Sequence, residues 1–237
     1  MITVMTGAGI STDSGIPDFR GPTGLWRNDP DHEKLVTLDY YLADPEIRRR
    51  SWRFRRESPA RTAAPNAAHL ALVELERAGL LDRLVTQNID GLHQKAGSSP
   101  DLVLELHGNM SGVLCVSCGS RSTLAEALDR IDAGEADPAC HECGGILKTT
   151  TVMFGETLPE EAVAEAVQAA RRCRTFLAIG TSLQVQPAAS LVGLAVRSGA
   201  HLVIVNAEPT PYDDFAEEVI RDPIGEAVPR LVARLIA

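Results

Sequence analysis

Apolar positions along the chain fall into short runs that stop abruptly at glycine or polar residues. "ITVMT" (2–6) ends at Gly7, "RLVTQ" (83–87) runs into Asn88 and Asp90, and "LVLEL" (102–106) stops at His107. "TFLAI" (175–179) meets Gly180, and "HLVIV" (201–205) meets Asn206. Short runs rich in Val, Ile and Leu, bounded by turn formers, predict buried strands. Between them the apolar period changes to that of a helix. "PNAAHLALVELERAG" (65–79) has Asn66 as an N-cap candidate and Gly79 as a stop. "PEEAVAEAVQAARRC" (159–173) carries acids in its first turn and arginines in its last, matching the helix macrodipole. "PAASLVGLAVRSG" (187–199) places Pro187 for a first-turn position, and "GEAVPRLVARLIA" (225–237) closes the chain. Strands alternating with helices predict an α/β fold: a parallel sheet covered on both faces.

Three stretches depart from this alternation. Residues 7–35 read as loop, with Pro17, Gly21, Pro22, Gly24 and Pro30; a loop this long in a compact domain is usually functional or disordered. Residues 31–64 are charged and helical in pattern, and 112–150 carry four cysteines with little apolar content. The expected division is therefore a core domain of 1–30, 65–111 and 151–237. A smaller domain combines a helical module (31–64) with a cysteine module (112–150).

Composition narrows the class. The chain has 237 residues, a net charge of −9, 44% hydrophobic and 23% charged residues. That balance speaks against general nucleic-acid binding, which needs a basic surface. The six arginines of "RRRSWRFRR" (48–56) are the local exception, read as a solvated helix face. No apolar run reaches the ~18 residues of a membrane span, and the N-terminus lacks the features of a secretory signal. A cytoplasmic protein is expected, where a disulfide framework is improbable.

Cys115, Cys118, Cys140 and Cys143 form two C-x2-C pairs with 21 residues between them. Four thiolates complete a tetrahedral zinc shell and leave no position for substrate, so one structural Zn2+ per chain is expected. Such a site supplies roughly 10–16 kcal/mol of apparent binding energy to a module with little core. Cys173 reads as a core or helix-end cysteine and His141 as a solvent-facing residue between ligands. "TGAGISTDSG" sets Gly7, Gly9 and Gly15 after a strand, where backbone can approach a pyrophosphate. The spacing is not that of the standard dinucleotide fingerprint. Four polar strand ends converging at one sheet edge nevertheless favour a nucleotide. His107 stands at one of those ends, and histidine is the natural base near neutral pH. No G-x-S-x-G elbow is present, and the suitably spaced cysteines are assigned to metal.

Taken in order, "TGAGISTDSGIPDFRG", "TQNIDGLH", "LHGN", the two C-x-x-C pairs, "FGE", "GTSLQVQP" and "IVNAEPTP" resemble the sirtuins, NAD-dependent protein-lysine deacylases, from residue 2 to about 232. Unlike many members, the chain opens directly on its first strand, a difference expected to touch the surface more than the chemistry. The resemblance implies a large Rossmann-like domain beside a small domain of a zinc module and a helical module, and a cofactor lid from Asp18 to about Pro30. It also implies NAD as co-substrate, with Ala8, Gly9, Thr12, Phe19 and Arg20 on the pyrophosphate and nicotinamide-ribose side. Gly180, Thr181, Ser182, Asn206, Pro223 and Ile224 would hold the adenosine half. Ile89 and Asp90 would grip the carboxamide while Gln87 and Asn88 address the ribose and an ordered water. His107, with Asn88 and Asp90, would be catalytic. An acylated-lysine protein or peptide would pair as a strand with Phe154, Gly155, Glu156 and a segment near Val185, without direct nucleic-acid or membrane contact.

Two other readings stay open on the residues alone: an NAD or ADP-ribose sensor without turnover, and a protein mono-ADP-ribosyltransferase. Sirtuins that prefer succinyl-lysine carry a tyrosine and, three residues on, an arginine; here Trp52 and Arg55 hold those positions. An indole has no hydroxyl, so half the clamp is missing. An ordinary deacetylase with at most weak desuccinylase activity is expected.

Overall fold

The computed structural model describes residues 1–18, 24 and 30–237. Six strands, β1 (Ile2–Thr6), β2 (Leu81–Thr86), β3 (Val103–Glu105), β7 (Thr175–Ile179), β8 (His201–Val205) and β9 (Glu218–Ile220), form one fully parallel sheet. A separate antiparallel sheet holds β4 (Gly112–Cys115), β5 (Arg121–Thr123) and β6 (Leu147–Thr149) in the order β5-β4-β6. The α-helices among the described residues are α1 (Leu38–Ala43), α2 (Pro45–Glu57), α3 (Ala67–Arg77), α4 (Leu92–Ala96), α5 (Leu124–Asp132), α6 (Glu160–Arg172), α7 (Ser190–Arg197) and α8 (Ile224–Ile236). None among the described residues is long and apolar enough to cross a membrane.

The large sheet runs β3-β2-β1-β7-β8-β9. Counted along the chain, that is the 3-2-1-4-5-6 order of dinucleotide-binding sheets, with its switch point between β1 and β7. Every residue of β1 is buried, as a central strand covered on both faces requires. One face packs Val4, Leu84, Leu177 and Val205 against α3 and α8 through Leu72, Leu75, Val228 and Leu231. The other packs Met5, Val85, Phe176 and Ile204 against α6 and α7 through Ala166, Ala170, Leu191 and Val192. Cys173 is buried in this second layer, and His141 is exposed.

Local chemistry sets the helix starts. Asn66 caps α3 by accepting from the Ala68 and His69 N–H groups, while the His69 ring accepts from the Asn66 N–H. Thr123 and Glu126 form the equivalent box on α5. Helix α7 begins at Ser190, later than its sequence suggested. Residues 185–190 form tight turns instead, with Ala189 N donating to Val185 O at 2.9 Å and Ser190 N to Pro187 O at 3.0 Å.

The arginine run of α2 is not a uniformly solvated face. Arg48 and Arg55 are buried. Arg48 pairs with Asp137 at 2.8 Å and donates to the Tyr41 and Leu42 carbonyls closing α1. Helical periodicity returns every third or fourth position to the inner face, Arg48, Ser51, Trp52 and Arg55 among them, and partners distant in sequence make the burial of charge tolerable. Trp52, 1% exposed, shares a buried cluster with Met110 and with Val113, Leu128 and Leu147 of the cysteine module.

Candidate active site

All six parallel strands point their carboxyl ends toward one edge, and the loops leaving five of them, β1, β2, β3, β7 and β8, line a cavity of ≈1160 Å³ facing the small module. Gly7 leaves β1 and opens a 3-10 turn, Ala8–Ser14. Gly180 leaves β7 with φ +61°; a Cβ there would lie 2.3 Å from Ile10 N. A Cβ on Gly9 would lie 2.8 Å from Gly180 Cα, and Gly9 N donates to Gly180 O at 2.8 Å. These glycines let two strand-end loops touch, so their need is set by the neighbouring loop. Leu183, buried, also adopts positive φ (54°) beside Thr181; a bulky residue held there marks local strain at the cavity rim.

The segment after β2 is not a surface turn. Asn88 is 9% exposed. Its Nδ2 donates to Gly7 O at 3.1 Å and Ser11 Oγ at 3.2 Å, and Ser11 Oγ donates to Asp90 Oδ2 at 2.8 Å. Asp90 Oδ1 accepts the Leu92 N–H at 2.9 Å. Gln87 Nε2 bridges to Thr181 Oγ1 at 3.0 Å. One network thus joins the ends of β1, β2 and β7.

His107 follows β3. Its Nδ1 lies 2.8 Å from the Gln87 carbonyl. A carbonyl can only accept, so Nδ1 carries the proton and Nε2 is the basic nitrogen. Burial pushes its pKa below the ordinary imidazole range, partly opposed by the Gln87 carbonyl. At neutral pH it is an uncharged base on the cavity wall.

Most residues singled out in the sequence meet here. Ala8, Gly9, Gln87, Asn88, Ile89, Asp90 and His107 line the cavity on one side. Gly180, Thr181, Ser182, Val185 and Asn206 line it on another, and Phe154, Gly155 and Glu156 face it from the segment after β6. Thr12, Pro223 and Ile224 are not on the cavity wall. Pro223 caps α8 near the glycine turn, where a Cβ on Gly225 would fall 2.6 Å from Asp13 Oδ2. Phe19, Arg20 and most of the lid candidate lie outside the described residues. Ser11 carries no signal of its own in the glycine loop, yet it joins Asn88 to Asp90.

The acyl-selecting pair separates. Trp52 turns into the small-module core and leaves the cavity wall to Arg55. Arg55 is 5% exposed, donates to Thr151 Oγ1 at 3.2 Å, and its Nε has no hydrogen-bond partner among the described residues. Burial lowers its pKa to about 10, still charged at neutral pH.

Away from the cavity, the Sγ atoms of Cys115, Cys118, Cys140 and Cys143 lie within 4.8 Å of one another, with Cys115–Cys143 at 3.5 Å and Cys118–Cys140 at 3.7 Å. A tetrahedron with Zn–S of about 2.3 Å has edges of about 3.8 Å. The four thiols fit a structural Zn2+.

A parallel sheet of this strand order, with a polar cavity across its carboxyl edge and a four-cysteine module beside it, defines a dinucleotide-binding protein carrying a zinc-ribbon insertion. The chain belongs to the Sir2 family, whose pattern residues 7–187 match. It is 59% identical over 235 residues to NAD-dependent protein deacetylase 2 of Streptomyces coelicolor, covering 99% of this chain and 98% of the relative. Among solved structures it resembles a Sir2–p53 peptide–NAD+ complex, with TM-score 0.88, 39% identity, and 99% and 92% of the two chains covered. A Sir2 complex with the inhibitor EX-527, 2'-O-acetyl-ADP-ribose and a deacetylated p53 peptide matches with TM-score 0.86 and 37% identity, covering 100% and 95%.

Proposed function

We propose that this chain removes acetyl groups from protein lysines in an NAD-dependent reaction, giving nicotinamide, free lysine and 2'-O-acetyl-ADP-ribose with consumption of one water. The observation that carries this reading is His107. Its proton is fixed on Nδ1 by Gln87 O, and its basic nitrogen belongs to a wall shared with Asn88 and Asp90.

The residues divide the work. The glycine turn and the Gly180–Ser182 loop receive the pyrophosphate and adenosine, with Asn206 at the far end. Asp90 and the Ile89 backbone hold the nicotinamide carboxamide, whose donor and acceptor suit a carboxylate beside peptide groups. Departure of nicotinamide leaves positive charge developing at the ribose C1′. The weakly nucleophilic acyl oxygen captures that centre only when held in line and screened from water. Asn88 orders the ribose and an attacking water. His107 then takes the proton of a ribose hydroxyl as that oxygen attacks the captured amide carbon. Phe154–Glu156 and the segment near Val185 would flank the substrate strand. Zinc takes no part in the reaction; it holds the module that forms the cavity's other side.

We read the core as residues 1–30, 65–111 and 151–237, the small domain as 31–64 with 112–150, and the compartment as the cytoplasm, where thiols remain available to metal. The deciding experiment follows nicotinamide released from NAD with and without an acetyl-lysine peptide. Release that requires the peptide and yields free lysine supports the proposal. Release onto a protein side chain points to ADP-ribosylation, and binding without release to a sensor.

A further inference from the structure

Behind the wall bearing Asn88 and Asp90 lie two histidines with no part in the chemistry above. His69 on α3 is wholly buried and His93 on α4 is 1% exposed, their ring centroids 5.0 Å apart. Their partners assign their tautomers. His69 Nδ1 accepts the Asn66 N–H at 3.3 Å, so its proton is on Nε2. The Thr6 hydroxyl gives its single proton to Thr86 Oγ1 at 2.9 Å. The 2.9 Å contact between His93 Nε2 and Thr6 Oγ1 therefore needs the imidazole as donor. His93 Nδ1 is left a bare acceptor and His69 Nε2 an N–H donor, neither with a hydrogen-bond partner among the described residues. Burial keeps both rings neutral, lowering His69 to about 4 and His93 to about 3.

Two hydrogen-bonded paths leave this pair. From His93 one runs through Thr6 to Thr86 Oγ1, which also accepts the Asn88 N–H at 3.1 Å. From His69 the other runs to Asn66, whose Nδ2 donates to Ile10 O at 2.8 Å and Ser14 Oγ at 3.0 Å. The first path ends on the segment carrying Asn88 and Asp90. The second ends on the turn carrying Ser11. These are the two strips of backbone whose spacing decides whether Ser11 reaches Asp90 and Asn88 reaches Ser11.

We infer that His93, acting through Thr6 and Thr86, and His69, acting through Asn66, are positioning residues that set the gap between the Ser11 turn and the Asn88–Asp90 segment, and so tune how tightly the site grips a carboxamide. The inference rests on the functional reading above. A displacement of about 1 Å in a binding constellation is enough to cost up to 10²-fold, and site residues need support to within about 0.5 Å. Neutrality matters as well, because a buried imidazolium would draw on the Asp90 carboxylate that an amide N–H must reach.

The test uses Thr6→Val, which keeps the shape and removes the linking hydroxyl, with Thr6→Ser as the restoring variant. His93→Leu and His93→Gln form the second pair, the glutamine amide offering an N–H in place of Nε2–H. For each, the KM for NAD, the KM for an acetyl-lysine peptide, the nicotinamide inhibition constant and the thermal midpoint are measured. Thr6→Val and His93→Leu are expected to raise the NAD KM and the nicotinamide constant about tenfold. Peptide KM stays within about twofold, and Ser and Gln recover most of the loss. If His93→Leu does not fold, Thr6→Val decides. Nicotinamide and NAD constants within about twofold of the wild type in folded Thr6→Val would overturn the inference. So would a parallel rise in peptide KM. Wild-type protein assayed alongside separates the two readings. If it releases nicotinamide with peptide while Thr6→Val matches it, only the positioning role falls; if it releases none, both fall.

Discussion

The six-stranded sheet and the cysteine module solve the same problem in different ways. The sheet buries two apolar layers, one behind α3 and α8 and one behind α6 and α7, with Leu72, Leu177, Phe176 and Val192 each at 0% exposure. The module has one small cluster, and two of its buried members, Cys115 and Cys140, are metal-ligand candidates. Where apolar burial is plentiful the chain needs no staple. Where three short strands and α5 cannot bury enough, a metal supplies the missing free energy. The cavity lies between the two, so its shape depends on both.

Removing zinc is the strongest way to break that contrast. Chelation, or Cys140→Ser, should unfold the module and abolish activity while the parallel sheet keeps its helical and strand signature. The loss is on the order of 10 kcal/mol for the module. Full activity in folded, metal-free protein, with metal content read by mass spectrometry, would refute the structural role.

His107→Ala comes next. It should leave fold and NAD binding intact and cost roughly 10²–10⁴ in turnover, the weight of a positioned base. The wild-type rate should rise with pH through the His107 pKa, because the neutral ring is the active form. Burial lowers that pKa, so the acid limb should have its midpoint below 6.5. A kcat/KM midpoint above the ordinary imidazole range would contradict the burial-lowered pKa, and full turnover by the alanine variant would remove His107 from the mechanism.

Core truncation sharpens the comparison on stability. Leu177→Ala in β7 should cost about 2–5 kcal/mol in denaturant unfolding. Leu128→Ala in the zinc-loaded module should fall at the lower end, about 2 kcal/mol, since metal ligation carries that region. Equal losses would argue that the module has a core of its own.

The smallest effect concerns the acyl group. With Trp52 turned into the module core, acetyl should be preferred over succinyl in kcat/KM measured on one peptide. Arg55→Met should change the acetyl value by less than about tenfold, or 1.4 kcal/mol. A tenfold succinyl preference lost in Arg55→Met would reverse this and give the buried guanidinium a substrate role.

Much of this molecule was legible in its sequence, for identifiable reasons. Buried parallel strands are continuous apolar runs, so β1, β7 and β8 announced themselves, as did α3 through its period and Asn66 cap and α6 through its acidic first turn and basic last turn. The four cysteines declared their chemistry by spacing alone, because a tetrahedral metal site needs two hairpin-sized pairs and little else. Gln87, Asn88, Asp90 and His107 stood out because each follows an apolar run where a strand must end. What the sequence did not carry was which distant residues those ends would meet. Ser11 joins Asn88 to Asp90, Arg48 finds Asp137, Gly180 must be glycine because Ile10 lies against it, and Trp52 turns inward while Arg55 faces the cavity. Local periodicity and turn chemistry act within a few residues of a position and are written there. The charge of Arg48 is met by Asp137, 89 residues away, and the steric need of Gly180 is set by Ile10, 170 residues away, partners that only the tertiary fold brings within about 3 Å.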